Sequence, residues 1–74
     1  MLKVKSRYRI CAFRRDIDKP YQHKLLAMGM LPGEDFKVLR YAPLGETVKI
    51  EINDFLLSLR HKELQYLLLE EIVA

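Results

Sequence analysis

Residues 25–33, LLAMGMLPG, constrain the fold more than any other stretch, because they predict both the end of a helix and the turn after it. Gly29 lies where helices commonly end with a residue of positive φ. Pro32-Gly33 fits the centre of a type II turn, since proline presets φ at the first central position and glycine accepts positive φ at the second. Before Gly29, apolar residues have the i, i+4, i+7 spacing of one buried helix face: Tyr21, Leu25 and Met28.

The start of this helix and the strand before it are also predicted. Asp18 or Lys19 is expected at the N-cap, and Pro20 suits the first turn, where a missing N–H costs nothing. Residues 7–13, RYRICAF, alternate in polarity and predict a half-buried strand. Its inward side should hold Tyr8, Ile10 and Ala12.

After the turn, three apolar segments predict strands, with sequences DFKVLRY, TVKIEI and FLLSLR. In the first, Phe36 and Val38 should share one face, with Leu39 and Tyr41 nearer the other. The APLGE segment, with Gly45 as a turn residue, should separate the first two strands, and Asn53-Asp54 should turn tightly between the last two. In TVKIEI the inward residues are Val48, Ile50 and Ile52.

The C-terminal stretch HKELQYLLLEEIVA is ambiguous, because its leucine spacing fits a helix while its short apolar run fits a strand. Several short strands with few helices indicate a mainly β fold, and a small barrel is the architecture expected. No repeat, linker or low-complexity tract divides the sequence, so residues 1–74 are predicted to form a single domain.

Composition places the chain among globular proteins of a reducing compartment. Half of its 74 residues are hydrophobic, which is a folded composition. Cys11 is the lone cysteine, so no disulfide is expected, and such a residue in a strand is most often a small core residue. The N-terminus lacks the apolar block of a signal peptide, and no apolar run is long enough to span a bilayer. A soluble, cytoplasmic protein is therefore expected.

Charge is distributed unevenly along a chain of net charge +3. Residues 1–15 hold six basic residues and no acid, whereas the remainder holds seven basic residues and ten acids. These cations are either the solvated face of an ordinary strand or a basic surface for an acidic partner, lipid headgroups or nucleic acid. The residues proposed for that surface are Arg7, Arg9, Arg14 and Arg15.

No arrangement of residues in the sequence predicts catalysis. His23 and His61 lie far apart and have no ligand set at metal-binding spacing. The three glycines fall in separate turns and form no phosphate-binding loop. We therefore expect no catalytic residue, no metal ligand, no cofactor and no small-molecule substrate. Nucleic acid is also disfavoured as a partner, since tryptophan is absent and the chain carries ten acids.

Three blocks in order, LLAMGMLPG, VLRYAPLGETVKIEI and LSLRHKEL, resemble the small bacterial ferrous iron transport protein A (FeoA) family over about residues 8–73. The resemblance implies an SH3-like β-barrel with a helix inserted after the first strand. It also implies a short helix near residues 61–66 and a closing strand near 68–73. Family members are cytoplasmic accessory proteins of ferrous iron uptake, thought to act on the membrane permease that carries a GTP-binding domain.

The resemblance implies a non-catalytic binding module at the cytoplasmic side of the permease, near the membrane surface. The alternative is a small regulatory domain that binds a transition metal or nucleic acid, since similar domains occur at the C-terminus of metal-dependent repressors. As the docking surface we predict the helix end and the following loops, with Leu26, Met30, Pro43 and Leu44 as contacts. Burial of Leu26 and Met30 in the core remains the competing interpretation.

Overall fold

The computed structural model describes residues 2–73, which form five strands and two short helices. The elements in chain order are β1 (Arg7–Phe13), α1 (Lys19–Ala27), β2 (Asp35–Tyr41), β3 (Thr47–Ile52), β4 (Phe55–Arg60), α2 (His61–Leu64) and β5 (Leu67–Ile72). The strands form one antiparallel sheet in the order β4-β3-β2-β1-β5. Strands β4 and β5 are its two edges, so the mainly β fold with two helices is confirmed, but closure into a barrel is not.

The end of α1 is a Schellman motif. The N–H of Gly29 donates to the carbonyl of Leu26 at 3.0 Å, and the N–H of Met30 donates to that of Leu25 at 2.9 Å. Gly29 has φ +87°, a backbone conformation that residues other than glycine adopt only with strain. The motif commonly brings together the two apolar residues that flank it, and both Leu25 and Met30 are fully buried in the same core.

The predicted type II turn is confirmed at Pro32-Gly33. The N–H of Glu34 donates to the carbonyl of Leu31 at 3.0 Å, and Gly33 has φ +95°. Two further hydrogen bonds attach the turn to β1, one from the N–H of Gly33 to the carbonyl of Ile10 and one from the N–H of Ile10 to the carbonyl of Glu34. The glycine therefore sets the path by which the chain leaves α1 and enters β2.

One side of the sheet, here called the inner face, packs with α1 to form the core. Its fully or nearly buried apolar residues are Tyr8, Ile10, Leu25, Met30, Phe36, Val38, Val48, Ile50, Ile52, Leu59 and Leu67. The inward residues predicted for β1, β2 and β3 are among them, apart from Ala12, which is half-buried. Cys11, expected in the core, is exposed, because the alternation of β1 directs it to the opposite face with Arg9.

A β-bulge in β2 contradicts the predicted orientation of Tyr41. The register shifts between Val38 and Arg40, so that Leu39 is the extra residue and Tyr41 pairs with the inward-facing Val48. Tyr41 accordingly packs against the core, and its hydroxyl donates to the carbonyl of Leu2 at 2.6 Å. The same shift moves Arg40 to the outer face of the sheet.

Both hairpin turns lie where they were predicted. The N–H of Gly45 donates to the carbonyl of Ala42 at 2.8 Å, and Gly45 has φ +73°. Between β3 and β4, Asn53 and Asp54 are the two loop residues, with φ of +49° and +68°. Positive φ at both positions is the signature of a type I′ turn, whose twist matches that of the strands it joins.

Candidate partner-binding surface

Met30, predicted as a partner contact, is fully buried and so is not part of any surface. The Schellman motif explains the correction, because the residue after the left-handed glycine turns back onto the helix. Leu26, by contrast, is 36% exposed, and Leu31 on the other side of the motif is also exposed. The apolar segment thus places one methionine in the core and two leucines at the surface.

An apolar groove lies beside the end of α1. It has a volume of about 420 Å³ and is formed on one side by the last residues of the helix and on the other by the β3–β4 hairpin. We call it the helix-end groove, and its lining residues are Ala27, Met28, Gly29, Ile52, Asn53, Phe55 and Leu57. The groove is the place where the core reaches the surface, since Ile52 is buried whereas Phe55 is exposed.

Phe55 is the most exposed aromatic ring of the described chain and was not recognised from the sequence. It pairs with Ile52 across the hairpin, is 69% exposed, and lines the groove together with the last residues of α1. Its neighbour Leu56 is also exposed, on the outer face of an edge strand. An apolar pair that follows a tight turn on an edge strand is the sequence signal that could have indicated this surface.

The loop between β2 and β3 presents Leu44, which is 84% exposed. The loop is closed by the hydrogen bond from the N–H of Gly45 to the carbonyl of Ala42. The Nε2 atom of His61 forms a hydrogen bond to the Gly45 carbonyl oxygen. The His61 ring stacks on Tyr41 with centroids 6.2 Å apart. Pro43 is exposed too, but it lines a different cleft, so the structure does not place the predicted contacts around a single groove.

The earlier turns of α1 are attached to α2 and the residues after it, a contact here called the helix junction. The Lys24 ammonium lies 2.6 Å from Oε2 of Glu63, a carboxylate that is only 2% exposed. The N–H of Arg60 donates to Oε1 of the same carboxylate at 2.9 Å, which caps α2. Tyr21 packs against Tyr66 with centroids 5.4 Å apart, so an ion pair and an aromatic pair both join α1 to the segment that contains α2.

The charge of Glu63 is stabilised within this junction. Burial opposes ionisation and by itself raises the pKa of the carboxyl, but the hydrogen bonds from Lys24 and from the Arg60 amide outweigh it. The net effect is a pKa below the ordinary value of 4.5. Glu63 is therefore a structural anion at neutral pH.

The predicted basic surface is interspersed with acids. Arg9 pairs with Asp35 at 3.1 Å, and Arg14 pairs with Asp16 at the same distance. Arg7 lies in a polar cleft that also contains Glu34, Asp35, Glu51 and Asp54. Arg15 is exposed in the turn after β1. Carboxylates lie beside three of the four arginines. In the folded protein they therefore offset much of the positive charge of the predicted basic surface.

Two further findings concern metals and membranes. Among residues 2–73, no three His, Cys, Asp or Glu side chains group closely enough to hold a metal ion. Within the same residues, no helix has the length and apolarity needed to cross a membrane.

The structure resembles solved proteins of known family. A FeoA-like protein from Clostridium acetobutylicum superposes with a TM-score of 0.87 at 22% identity, covering 99% of this chain and 83% of its own. Iron(II) transport protein A from Clostridium thermocellum has a TM-score of 0.88 at 27% identity, covering 96% of this chain and 43% of its own. A protein from Pseudomonas aeruginosa has a TM-score of 0.77 at 36% identity, and the match covers 97% of this chain and 96% of that protein.

Sequence comparison agrees with these superpositions. The family model of the FeoA domain matches residues 1–71, which is nearly the whole chain. The match includes α1, the turns at Gly29 and Gly33, and the two hairpins that contain Leu44 and Phe55. The chain belongs to the FeoA domain family, which is associated with iron uptake.

Proposed function

We propose that this protein is a non-catalytic, cytoplasmic accessory module of bacterial ferrous iron uptake, acting on the membrane Fe(II) permease through its GTP-binding domain. The observation that supports the proposal is the helix-end groove, an apolar surface open to solvent in a member of the FeoA family. Apolar surface of this kind is commonly used to bind proteins, particularly where an aromatic ring is exposed.

Phe55 is the residue expected to contribute most to binding. Aromatic side chains dominate binding energy because they bury a large area at a small entropic cost, and this ring is exposed beside a preformed groove. The ligand that fits is an apolar side chain or the apolar face of a helix, presented by the GTP-binding domain. Leu26 and Leu31 extend the apolar surface along the segment that includes the Schellman motif.

The proposal is tested by binding of the full-length chain to the isolated GTP-binding domain of the permease, measured by calorimetry. Phe55→Gln should weaken the complex by about 2 kcal/mol, which is roughly thirtyfold in Kd. Its unfolding free energy should change by no more than about 0.5 kcal/mol, because the ring is already exposed.

Leu68→Gln is the matched control, since Leu68 is also exposed but lies on β5, the other edge of the sheet. It should bind like the unaltered protein. Equal weakening by both variants would show that the groove has no special role. If neither variant matters but Leu44→Gln abolishes binding without unfolding, the partner contacts the β2–β3 loop instead.

Direct Fe(II) binding by the chain is the rival to be excluded experimentally. Anaerobic titration with Fe(II) should give no saturable site of defined stoichiometry. A stoichiometric site would replace the binding-module proposal by a metal-binding one.

A further inference from the structure

Two cations face each other on the outer face of the sheet. Arg40 on β2 is paired in register with Lys49 on β3, because the bulge at Leu39 shifts Arg40 out of the inward-facing series. Like charges directly opposite each other destabilise a sheet. Among residues 2–73 the ion pairs found include Lys3, Arg9, Arg14 and Lys24, and neither of these two cations.

The two cations border a cleft of about 390 Å³ that no acidic side chain lines. Its lining residues are Arg40, Tyr41, Ala42, Pro43, Thr47, Lys49 and Ser58. Ser58 on β4 is paired in register with Lys49, and Thr47 lies two residues before Lys49 on the same strand, so both hydroxyls share the face of the cations. The cleft therefore combines two positive charges with two neutral hydrogen-bonding groups.

The chain contains a second pair of opposed cations, and the acidic residues around that pair are missing from the cleft of Arg40 and Lys49. Arg7 on β1 is paired in register with Lys37 on β2. There the protein supplies its own compensation, since Lys37 faces Glu51 across the next strand. Arg7 also shares its cleft with four carboxylates, those of Glu34, Asp35, Glu51 and Asp54. The pair formed by Arg40 and Lys49 lacks such compensation in its cleft.

We propose that the Arg40–Lys49 cleft binds a phosphate group. Its two formal charges match the charge of about −1.5 to −2 that a phosphate monoester carries at pH 7. The planar guanidinium suits two phosphate oxygens, the ammonium acts as a point charge, and hydroxyls can donate to the remaining oxygens. A carboxylate carries one charge and would leave the other cation without compensation. This inference does not depend on the proposed function.

The test uses the isotopically labelled full-length chain titrated with inorganic phosphate at low ionic strength, followed by NMR. Saturable shifts are expected at residues 40, 47, 49 and 58. The double variant Arg40→Gln/Lys49→Gln should bind at least about tenfold more weakly. Arg7→Gln/Lys37→Gln makes the same change in net charge at the compensated pair and should bind normally.

A second titration, with vesicles containing phosphatidic acid, separates a lipid headgroup from a free phosphate as the source. Saturable binding of either probe that depends on Arg40 and Lys49 supports the site and identifies its source. Without any phosphate, the Arg40→Gln/Lys49→Gln variant should melt no lower than the unaltered protein, since the substitution removes a repulsion. The inference is overturned if neither probe binds, or if both double variants weaken binding equally.

Discussion

The earlier turns of α1 and its C-terminal end differ in what covers them. At the helix junction, an ion pair joins α1 to α2 and an aromatic pair joins α1 to Tyr66, which follows α2. The Glu63 carboxylate also caps α2 and is removed from solvent. At the helix-end groove, the same helix borders an exposed phenylalanine, and nothing in residues 2–73 covers that ring. Substitutions at the junction should therefore change the stability of the fold, whereas substitution of the exposed ring at the groove should change binding alone.

The largest effect on stability is expected for Lys24→Met. This change leaves the Glu63 carboxylate buried with its ammonium partner removed, which should lower the unfolding free energy by about 2–4 kcal/mol. The figure lies below that of a fully buried pair because the lysine itself is half exposed. Urea unfolding at pH 7 measures it. Lys19→Met, at an exposed position of the same helix, is the control and should cost less than about 0.5 kcal/mol. Similar losses for both would show that the junction ion pair is unimportant.

Acidification should reduce the difference between the junction variant and the unaltered protein. Because the pKa of Glu63 is lowered on folding, its contribution is complete above the ordinary value of 4.5 and is lost as the pH falls through the lower folded value. In Lys24→Met, burial still raises the pKa of Glu63 and no ammonium opposes it. Protonation of the carboxyl therefore relieves the variant, whereas it destabilises the unaltered protein. Urea unfolding at neutral and acidic pH should show the two stabilities converging. A difference independent of pH would indicate that lost packing, and not charge, causes the destabilisation.

Gly29→Ala tests the helix end that lines the groove. A Cβ atom at φ +87° is strained although space for it is open, so the unfolding free energy should fall by about 1 kcal/mol. Since Gly29 also lines the groove, binding of the GTP-binding domain should weaken as well, unlike the effect expected for any junction variant. Thermal unfolding and calorimetry on one preparation measure both. A loss of stability with unchanged affinity would separate the shape of the helix end from partner binding.

The smallest effect is expected at the hairpin that borders the groove. Asp54→Gly should raise the unfolding free energy by about 0.5 kcal/mol, because glycine is favoured at the second central position of a type I′ turn. Asp54→Ala should lower it, since alanine tolerates positive φ poorly. Differential scanning calorimetry resolves such changes in a small domain. If glycine and alanine act alike, the turn geometry is not what limits the stability of this hairpin.

Local chemistry explains which parts of the fold were predictable. The helix end at Gly29, the type II turn and the inward residues of β3 follow from glycine, proline and alternating polarity, and all were confirmed. In β1, Tyr8 and Ile10 are buried as predicted, whereas Ala12 is half-buried. The orientation of Tyr41 did not follow, because a β-bulge depends on the partner strand and leaves no mark in the residue pattern. The short final helix and β5 were predicted only through the family resemblance, and both were confirmed.

The candidate site was less predictable than the fold. Leu26 and Leu44 are exposed as the docking hypothesis required, but Met30 is buried. Phe55 was overlooked because the groove that it lines is formed by the end of α1 and the β3–β4 hairpin, which are far apart in sequence. The burial of Glu63 depends in the same way on Lys24, a residue of another element. Tertiary contacts, and not local propensity, decide which apolar or charged residues remain at the surface.

The most direct test of partner binding at the groove is an NMR titration of the labelled chain with the unlabelled GTP-binding domain of the permease. Our proposal predicts that the largest shift changes fall at residues 26–31 and 52–57, on the two sides of the helix-end groove. Resonances of the helix junction, at residues 61–66, should move little. Changes confined to the junction, or spread evenly over the sheet, would contradict the claim that the helix-end groove is the partner-binding surface.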